Sequence, residues 1–259
     1  MPALILMYHD LSEDDRQISR GHAPYVLEPT TFRRQMRSVV SHGLPVLTVT
    51  QWSTSSDPTR AAVLTFDDGH VSNYDVALPI LLEHQLKATF FIVAGSIGRS
   101  GVMNWKKIRA LHSAGMEIGS HTLTHRPPST LGDIELRFEL RESRRILEDG
   151  LGAPVTSISS PTGFFNPRMR NIAREVGYRA LCFGQAGLAA NQCDMFALKR
   201  VAVKRTMCDE QFNALLRFDA STIRHIRLSQ FVRELARKAL GPSRYLQIRG
   251  RLMRGASVR

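Results

Sequence analysis

The segment that decides the fold is Ala61–His70, which reads AAVLTFDDGH. Its apolar run ends at Phe66 and is short enough for a buried strand, and two carboxylates and a glycine follow at once. In an α/β protein, side chains just past such a strand reach the face where ligands bind. Asp67 and Asp68 are therefore candidate site residues. The same letters also fit an ordinary turn that closes a strand, so the rest of the chain has to decide.

Apolar runs and helical patterns alternate on both sides of this segment. About seven alternations predict a parallel sheet, either closed as a barrel or open with helices on both faces. Strands are predicted at Ala3–Tyr8, Pro45–Val49, Val63–Phe66, Ala88–Val93, Met116–Ser120, Val155–Ser159, Ala180–Phe183 and Leu198–Val203. Helices are predicted near Phe32–Ser41, Asn73–His84, Trp105–Ser113, Asp133–Asp149, Asn166–Val176 and Asp209–Leu216. Left-handed helix ends are expected at Gly43, Gly115, Gly150 and Gly177.

Composition indicates a globular chain. It has 259 residues, 43% of them hydrophobic and 22% charged, which is enough for one large α/β domain or two smaller ones. The apolar start lacks a preceding positive charge and is cut short by His9 and Asp10, so a signal peptide is not expected and cytoplasmic residence is predicted. Three cysteines without a C-x-x-C pair argue against a disulfide framework or a cysteine metal site.

The net charge of +12 is concentrated at the C-terminal end. Residues 223–259 carry ten Lys and Arg against a single acidic residue, so they hold most of the excess. The remainder is close to balanced, and nothing in it supports nucleic-acid binding. We therefore expect two parts, a body at residues 1–222 and a basic tail at residues 223–259.

The tail has the pattern of a basic amphipathic helix. Apolar residues recur at helical spacing from Leu228 to Leu240, with arginines and a lysine on the other faces. One interpretation is a terminal helix that packs on the body and leaves its basic face in solvent. The other is docking on an anionic membrane surface where lipid-linked glycans are made, which would make the protein peripheral to the inner membrane face.

A second chemical feature is SHTLTH at residues 120–125, directly after a predicted strand. His121 and His125 are four residues apart, a spacing that brings two imidazoles to one side of a helical turn. With Asp68 they form a three-ligand set that leaves room for water, as in catalytic zinc sites. Two histidines and one carboxylate also suit iron in oxygen chemistry. The additional carboxylate of Asp67 favours hydrolysis.

Taken together, TFDDG at residues 65–69 and SHTLTH at residues 120–125 resemble the polysaccharide deacetylases, also known as the NodB-homology domain or carbohydrate esterase family 4. The resemblance continues through most of residues 3–215, with MYHD at 7–10, ATFFIV at 88–93 and PTG at 161–163. It implies a distorted (β/α) barrel of about seven strands. It also implies metal-dependent removal of N-acetyl groups from an aminosugar polysaccharide or a lipid-linked glycan.

The resemblance also implies roles for individual residues. Asp68, His121 and His125 would hold the metal, with zinc favoured and cobalt or nickel as alternatives, and Asp67 would be the general base. The backbone N–H of Thr162, within Pro161–Gly163, would stabilise the oxyanion. Trp105 is a candidate for stacking on a sugar ring, although core packing explains it equally well.

The sequence departs from the family pattern at two places. The histidine of a C-terminal Leu-x-His motif is absent, since the region reads Leu198-Lys199-Arg200-Val201. The branch resembling poly-N-acetylglucosamine deacetylases instead places this histidine in an N-terminal Tyr-His pair, so His9 is the expected general acid.

The second departure concerns the third motif, where the family's arginine pairs with the catalytic aspartate. Ser159 stands in its place. This predicts an Asp67 that is less acidic than a paired aspartate would be, with support that either differs from the family's or is weaker. It also keeps open an alternative function, a catalytically weak or silent relative that only binds carbohydrate.

Overall fold

The computed structural model describes residues 2–13, 23–55, 59–190 and 193–240, except for the side chains of residues 234 and 236–240. Nine strands form one sheet in which every pairing is parallel, and two short strands form a separate pair. The strands are β1 Ala3–Tyr8, β2 Asp10–Leu11, β3 Val26–Leu27, β4 Val46–Leu47, β5 Ala61–Phe66, β6 Thr89–Ile92, β7 Glu117–Ser120, β8 Ser157–Ser159, β9 Ala180–Phe183, β10 Leu198–Lys199 and β11 Val201–Ala202.

The sheet closes on itself through the segment from β10 to β11. The order runs β1, β5, β6, β7, β8, β9 and β10, and β11 then pairs with the free side of β1. Arg200 separates these two short strands, so a single stretch of chain contacts β9 first and β1 next. If that stretch is counted as one staggered strand, the barrel has seven strands, which confirms the expected distorted (β/α) barrel.

Helices surround the barrel, in agreement with the predicted alternation. The first strand shows why its sequence is apolar throughout, because Ala3 and Ile5 pack inside the barrel while Leu4 and Leu6 pack under the helices. The helices are α1 Pro29–Ser41, α2 Val49–Thr54, α3 Leu78–Glu83, α4 Trp105–Ser113, α5 Asp133–Leu151, α6 Pro167–Val176, α7 Asp209–Leu216 and α8 Ala220–Leu240. A π-helical turn, Asn73–Ala77, leads directly into α3.

One predicted helix end was wrong. Gly150 lies inside α5, and the left-handed residue that caps this helix is Gly152, with φ of 67°. A side chain at position 150 would collide with the ring of Trp105, since a Cβ there would lie 2.1 Å from its Cη2 atom. Gly150 is therefore required for close packing of α4 against α5.

The C-terminal helix α8 starts before the predicted body–tail boundary. Ile223 and Ile226 pack against the barrel core. The side chain of Gln230 donates to the carbonyl of Gly184 and accepts from the backbone N–H of Ala186. The first half of this helix is thus part of the body, while residues 241–259 lie outside the described residues.

Among the described residues, no helix combines the length and the apolar character needed to cross a membrane.

Candidate active site

The candidate site residues meet at one end of the barrel. His9 follows β1, Asp67 follows β5, and His121 follows β7, while Arg200 lies between β10 and β11. Parallel strands place their carboxyl ends on the same face, so residues distant in sequence converge there. The first three line a cleft at this face, together with Asp68 and His125.

Three side chains form a compact set of metal-binding donors. Asp68 Oδ1 lies 3.3 Å from Nε2 of His121 and 3.3 Å from Nε2 of His125. All three ligand atoms lie within 4.8 Å of one another. The His121 side chain is buried, whereas His125 is 39% exposed, which leaves an approach from the cleft.

The hydrogen bonds around His121 fit a metal ligand. Its Nδ1 donates to the carbonyl oxygen of Ser159 at 3.0 Å. This bond fixes the tautomer in which the Nε2 lone pair points toward Asp68, which is the usual second-shell arrangement for a ligating histidine. An oxygen and two imidazole nitrogens form a donor set that suits zinc. The residues present therefore fit a divalent cation.

The prediction of a helical turn at the histidine pair was wrong. Residues 121–125 form an irregular bend that contains two left-handed residues, Thr122 with φ of 67° and His125 with φ of 61°. This bend, rather than helical periodicity, brings the imidazole centroids to 4.9 Å. Asp68 also has a left-handed backbone, with φ of 73°. Such conformations are costly for residues other than glycine and cluster at functional sites.

The expectation that Asp67 is less acidic than a paired aspartate was also wrong, because its support differs and is not weaker. Arg200 donates to both of its carboxylate oxygens, through Nη1 to Oδ1 at 2.8 Å and through Nη2 to Oδ2 at 2.7 Å. The same Nη2 donates to the hydroxyl of Ser159 at 2.7 Å, and that hydroxyl also contacts Asp67 at 3.2 Å. The guanidinium that the third motif lacks is thus supplied by another strand, and Ser159 is small enough to make room for it.

This pairing keeps Asp67 ionised. Burial alone would raise the pKa of its carboxyl group, but the charge of Arg200 and the hydrogen bonds from its guanidinium hold that pKa below its usual value. Each carboxylate oxygen retains lone-pair capacity beyond the bond to the guanidinium. Asp67 can therefore accept a proton at neutral pH while remaining fixed in place.

His9 lies in the cleft wall. Its ring is 4.9 Å from that of Tyr25, and its backbone carbonyl accepts a hydrogen bond from Asn73 in the π-helical turn. Its Nδ1 is buried and has no hydrogen-bond partner among the described residues. Burial lowers the pKa of His9, and the nearby carboxylates of Asp67 and Asp68 partly offset that effect. This imidazole is thus held in the cleft wall near the carboxylates of Asp67 and Asp68.

The third motif forms part of the cleft floor. Thr162 has a left-handed backbone with φ of 63°, and it lines the cleft with Gly163. Gly163 cannot carry a side chain, because a Cβ would lie 2.9 Å from the Cα of Gly184. Pro161 is buried behind them. The close approach of the two glycines holds this turn against the end of β9.

These motifs occur together in other proteins. Residues 54–181 match the family model described as polysaccharide deacetylase. YxkH of Bacillus subtilis (strain 168), named as a polysaccharide deacetylase, is 30% identical over 217 residues, which is 82% of this chain and 75% of that protein. The chain belongs to the polysaccharide deacetylase family. Membership makes it a hydrolase of amide bonds.

Two more distant relatives share part of the sequence or the fold of this deacetylase. Poly-beta-1,6-N-acetyl-D-glucosamine N-deacetylase of Staphylococcus aureus is 23% identical over 173 residues, covering 60% of each chain. The structure of the Streptococcus pyogenes deacetylase PplD in complex with acetate matches with a TM-score of 0.74 at 24% identity, over 83% of this chain and 97% of that one. The second likeness shows that the fold is shared.

Trp105 is not brought to the cleft of the deacetylase. Its ring packs on Gly150 of α5, and the guanidinium of Arg109 lies 5.5 Å from the ring centroid on α4. The interpretation of Trp105 as a sugar-stacking residue was therefore wrong, and its role is in helix packing. The aromatic residues that do line the cleft are Tyr25 and Phe164.

Two further residues contribute to the site, and sequence reasoning missed the role of the second. His70 places its Nε2 3.5 Å from Oδ2 of Asp68, whereas His121 and His125 approach the other carboxylate oxygen, Oδ1. Arg200 was read only as the absence of a histidine. A signal for it existed, because Leu198 and Arg200 share one face of an alternating strand, and a cation facing a barrel interior requires a buried anion.

Proposed function

We propose that this deacetylase removes N-acetyl groups from an aminosugar polymer by metal-dependent hydrolysis, with Asp68, His121 and His125 as the metal ligands. One observation carries the proposal: the ligand set stands beside an ionised carboxylate, Asp67, that Arg200 holds in place. Hydrolysis requires both parts, whereas oxygen chemistry at iron gives no role to the second carboxylate. Zinc is the metal we expect, with cobalt or nickel as substitutes.

In the proposed reaction, a bound divalent cation would polarise the amide carbonyl and the attacking water. Asp67 accepts a proton from that water as its oxygen bonds to the carbonyl carbon. The backbone N–H of Thr162 donates to the resulting oxyanion. His9 then protonates the amine nitrogen as the carbon–nitrogen bond breaks, so that acetate and a free amino sugar leave.

The polymer class follows from the relatives. The Staphylococcus aureus relative is named for poly-beta-1,6-N-acetyl-D-glucosamine, and the N-terminal Tyr8-His9 pair matches that branch. The cleft is open and has aromatic rings at Tyr25 and Phe164, which can lie against the apolar faces of sugars. We therefore assign a β-linked N-acetylglucosamine polymer, either free or lipid-linked, as the substrate to test first.

The experiment is to measure acetate release from N-acetylglucosamine oligomers by protein loaded with Zn²⁺, Co²⁺ or Ni²⁺, beside the His9→Gln variant. We expect turnover by the metal-loaded wild type. We expect His9→Gln to lower kcat by about 10²–10⁴-fold, the usual contribution of a general acid. Equal rates for the two proteins would remove His9 from the mechanism. A wild type that binds these oligomers but releases no acetate would instead support the silent carbohydrate-binding alternative.

The C-terminal helix supports a second, separate proposal, that the protein docks on an anionic membrane surface. Leu228, Phe231, Val232 and Leu235 recur at helical spacing and are each at least 50% exposed. The opposite side of α8 packs on the barrel through Ile226 and Gln230. The apolar stripe is therefore directed away from the body, and the chain beyond it is strongly basic, a combination typical of interfacial helices.

Vesicle co-sedimentation tests this docking. Full-length protein should pellet with vesicles containing phosphatidylglycerol and much less with phosphatidylcholine alone. Phe231→Ser combined with Leu235→Ser should abolish pelleting. Ile134→Ser with Phe138→Ser is the matched control, since these two apolar residues are exposed on α5. If both double variants pelleted as the wild type does, the helix would be rejected as the docking element.

The division at residue 222 and the peripheral, cytoplasmic location remain predictions that accompany this proposal. The division has one structural qualification, which is that α8 begins at Ala220 and its first turns belong to the barrel. Removal of residues 241–259 is therefore the appropriate truncation for future variants. Removal of everything after residue 222 would also strip packing from the body.

A further inference from the structure

We propose that Glu139 is the positioning residue of the metal-binding loop, and this inference rests on the metal site assigned above. Glu139 lies on α5, outside every recognised motif of the sequence. Only 5% of it is exposed. Its carboxylate neither lines the cleft nor belongs to the set of metal-binding donors, so it acts through the loop that carries the ligands.

Glu139 accepts three hydrogen bonds from residues between the two histidine ligands. Its Oε2 accepts from the backbone N–H of Leu123 at 2.9 Å and from that of Thr124 at 2.8 Å. Its Oε1 accepts from the hydroxyl of Thr124. A single buried carboxylate therefore fixes the middle of the segment that separates His121 from His125.

The loop has few other ways to satisfy its backbone. The N–H of Thr122 bonds to the hydroxyl of Ser120, and that of His125 bonds to the hydroxyl of Thr122. Without Glu139, the N–H groups of Leu123 and Thr124 would lose an acceptor that is held in a buried position, and these partly buried bonds fix the backbone of the loop. On the opposite side, the carbonyls of Thr122 and Leu123 accept from Ala94 and Gly95. Glu139 thus completes a clamp, by which we mean hydrogen bonds that hold the loop from two opposite sides.

The backbone strain of the loop explains why a clamp is needed. Thr122 and His125 both have left-handed backbones, a conformation that non-glycine residues keep only when their surroundings enforce it. Relaxation of Thr122 would turn the imidazole of the preceding residue, His121, away from Asp68. Relaxation of His125 would turn its own imidazole away. The bonds to Glu139 lie between these two residues, where they oppose relaxation of both.

A matched glutamate on the same helix provides the control. Glu148 also accepts a backbone N–H from a loop, that of Val155 at 2.9 Å, and its Oε1 accepts from Arg144 as well. It lies at the far end of α5, away from the cleft. The Glu148 side chain is 31% exposed, so its loss should lower stability modestly through the lost hydrogen bonds, without altering the metal site.

The experiment compares zinc affinity, measured by competition with a chromophoric chelator, for wild type, Glu139→Ala, Glu139→Gln and Glu148→Ala. We expect Glu139→Ala to weaken zinc binding by about 10–100-fold, the usual effect of losing an outer-shell partner. Glu139→Gln, whose amide oxygen can still accept both N–H groups, should recover most of the affinity. Glu148→Ala should bind zinc as the wild type does. The visible spectrum of bound Co²⁺ should change only in the Glu139 variants.

Three results would overturn parts of this inference. Wild-type affinity in folded Glu139→Ala, or equal losses in Glu139→Ala and Glu148→Ala, would reject the positioning role while leaving the metal site intact. If Glu139→Ala does not fold, Thr124→Val removes one of the three bonds and should weaken zinc binding to a smaller extent; unchanged affinity there would count against the clamp. A wild type that binds no zinc would overturn the proposed metal site itself.

Discussion

Replacing Arg200 with methionine should lower the free energy of unfolding by about 3–5 kcal/mol and abolish most of the deacetylase activity. Arg200 is fully buried and Asp67 is 2% exposed, so the substitution leaves a buried carboxylate without its counter-charge. Breaking a buried pair by removing one partner has this typical cost. The pKa of Asp67 would rise, because burial would then act with less opposition.

The measurement is urea unfolding together with acetate release. Arg137→Met is the matched control, because Arg137 makes an exposed ion pair with Glu175 that should contribute at most about 1 kcal/mol. Asp67→Asn combined with Arg200→Met should be more stable than Arg200→Met alone, since both charges are then gone. If Arg200→Met were as stable as the control, Arg200 would not pair with Asp67.

Moving the arginine tests whether the two family arrangements are equivalent. Ser159 and Arg200 both contact the same oxygen of Asp67, so position 159 has direct access to the proposed general base. Ser159→Arg combined with Arg200→Ser would restore the third-motif pattern of the wider family. We expect this double variant to be more active than Arg200→Met. Its failure to recover activity would mean that the β10–β11 position supplies geometry that β8 cannot.

Much of the fold was visible in local sequence patterns. Strands such as β1 and β5 are continuous apolar runs because both of their faces are buried, and periodicity detects that directly. Closure of the barrel was not predictable in detail. It depends on a short stretch around Arg200 that pairs with β9 and then with β1, and no local pattern records which strand accepts which edge.

The candidate site shows the same contrast between residues that local patterns identify and residues that only the topology brings together. The proximity of Asp67, Asp68, His121 and His125 could be predicted because each lies in a short motif that follows a predicted strand. The partner of Asp67 is 133 residues away in sequence, and only the topology of the sheet brings it near. The bend that carries His121 and His125 was misread as a helical turn, because its left-handed residues are threonine and histidine rather than glycine. The packing of Trp105 on Gly150 was hidden for a similar reason, since a glycine inside a helix resembles a helix end.

Asp67→Asn and Asp68→Asn should both inactivate the enzyme, but for different reasons. Asp67 does not belong to the donor set formed by Asp68 and the two histidines, so Asp67→Asn should still bind zinc. Its kcat should fall by about 10²–10⁴-fold, because the attacking water loses its proton acceptor. Asp68→Asn removes the only carboxylate of the set, so its zinc affinity should fall further than the roughly 10–100-fold typical of outer-shell changes.

Parallel measurements of zinc affinity and acetate release separate these two functions. High zinc concentration should restore part of the activity of Asp68→Asn, because its defect lies in metal occupancy, and none of that of Asp67→Asn. Circular dichroism is the control for folding of both variants. It matters most for Asp67→Asn, because Arg200 then faces a neutral amide. Activity that persists in both variants would reject the assigned site. Loss of zinc binding in Asp67→Asn would show instead that both adjacent aspartates bind the metal. That result would contradict the separate roles proposed for Asp67 and Asp68.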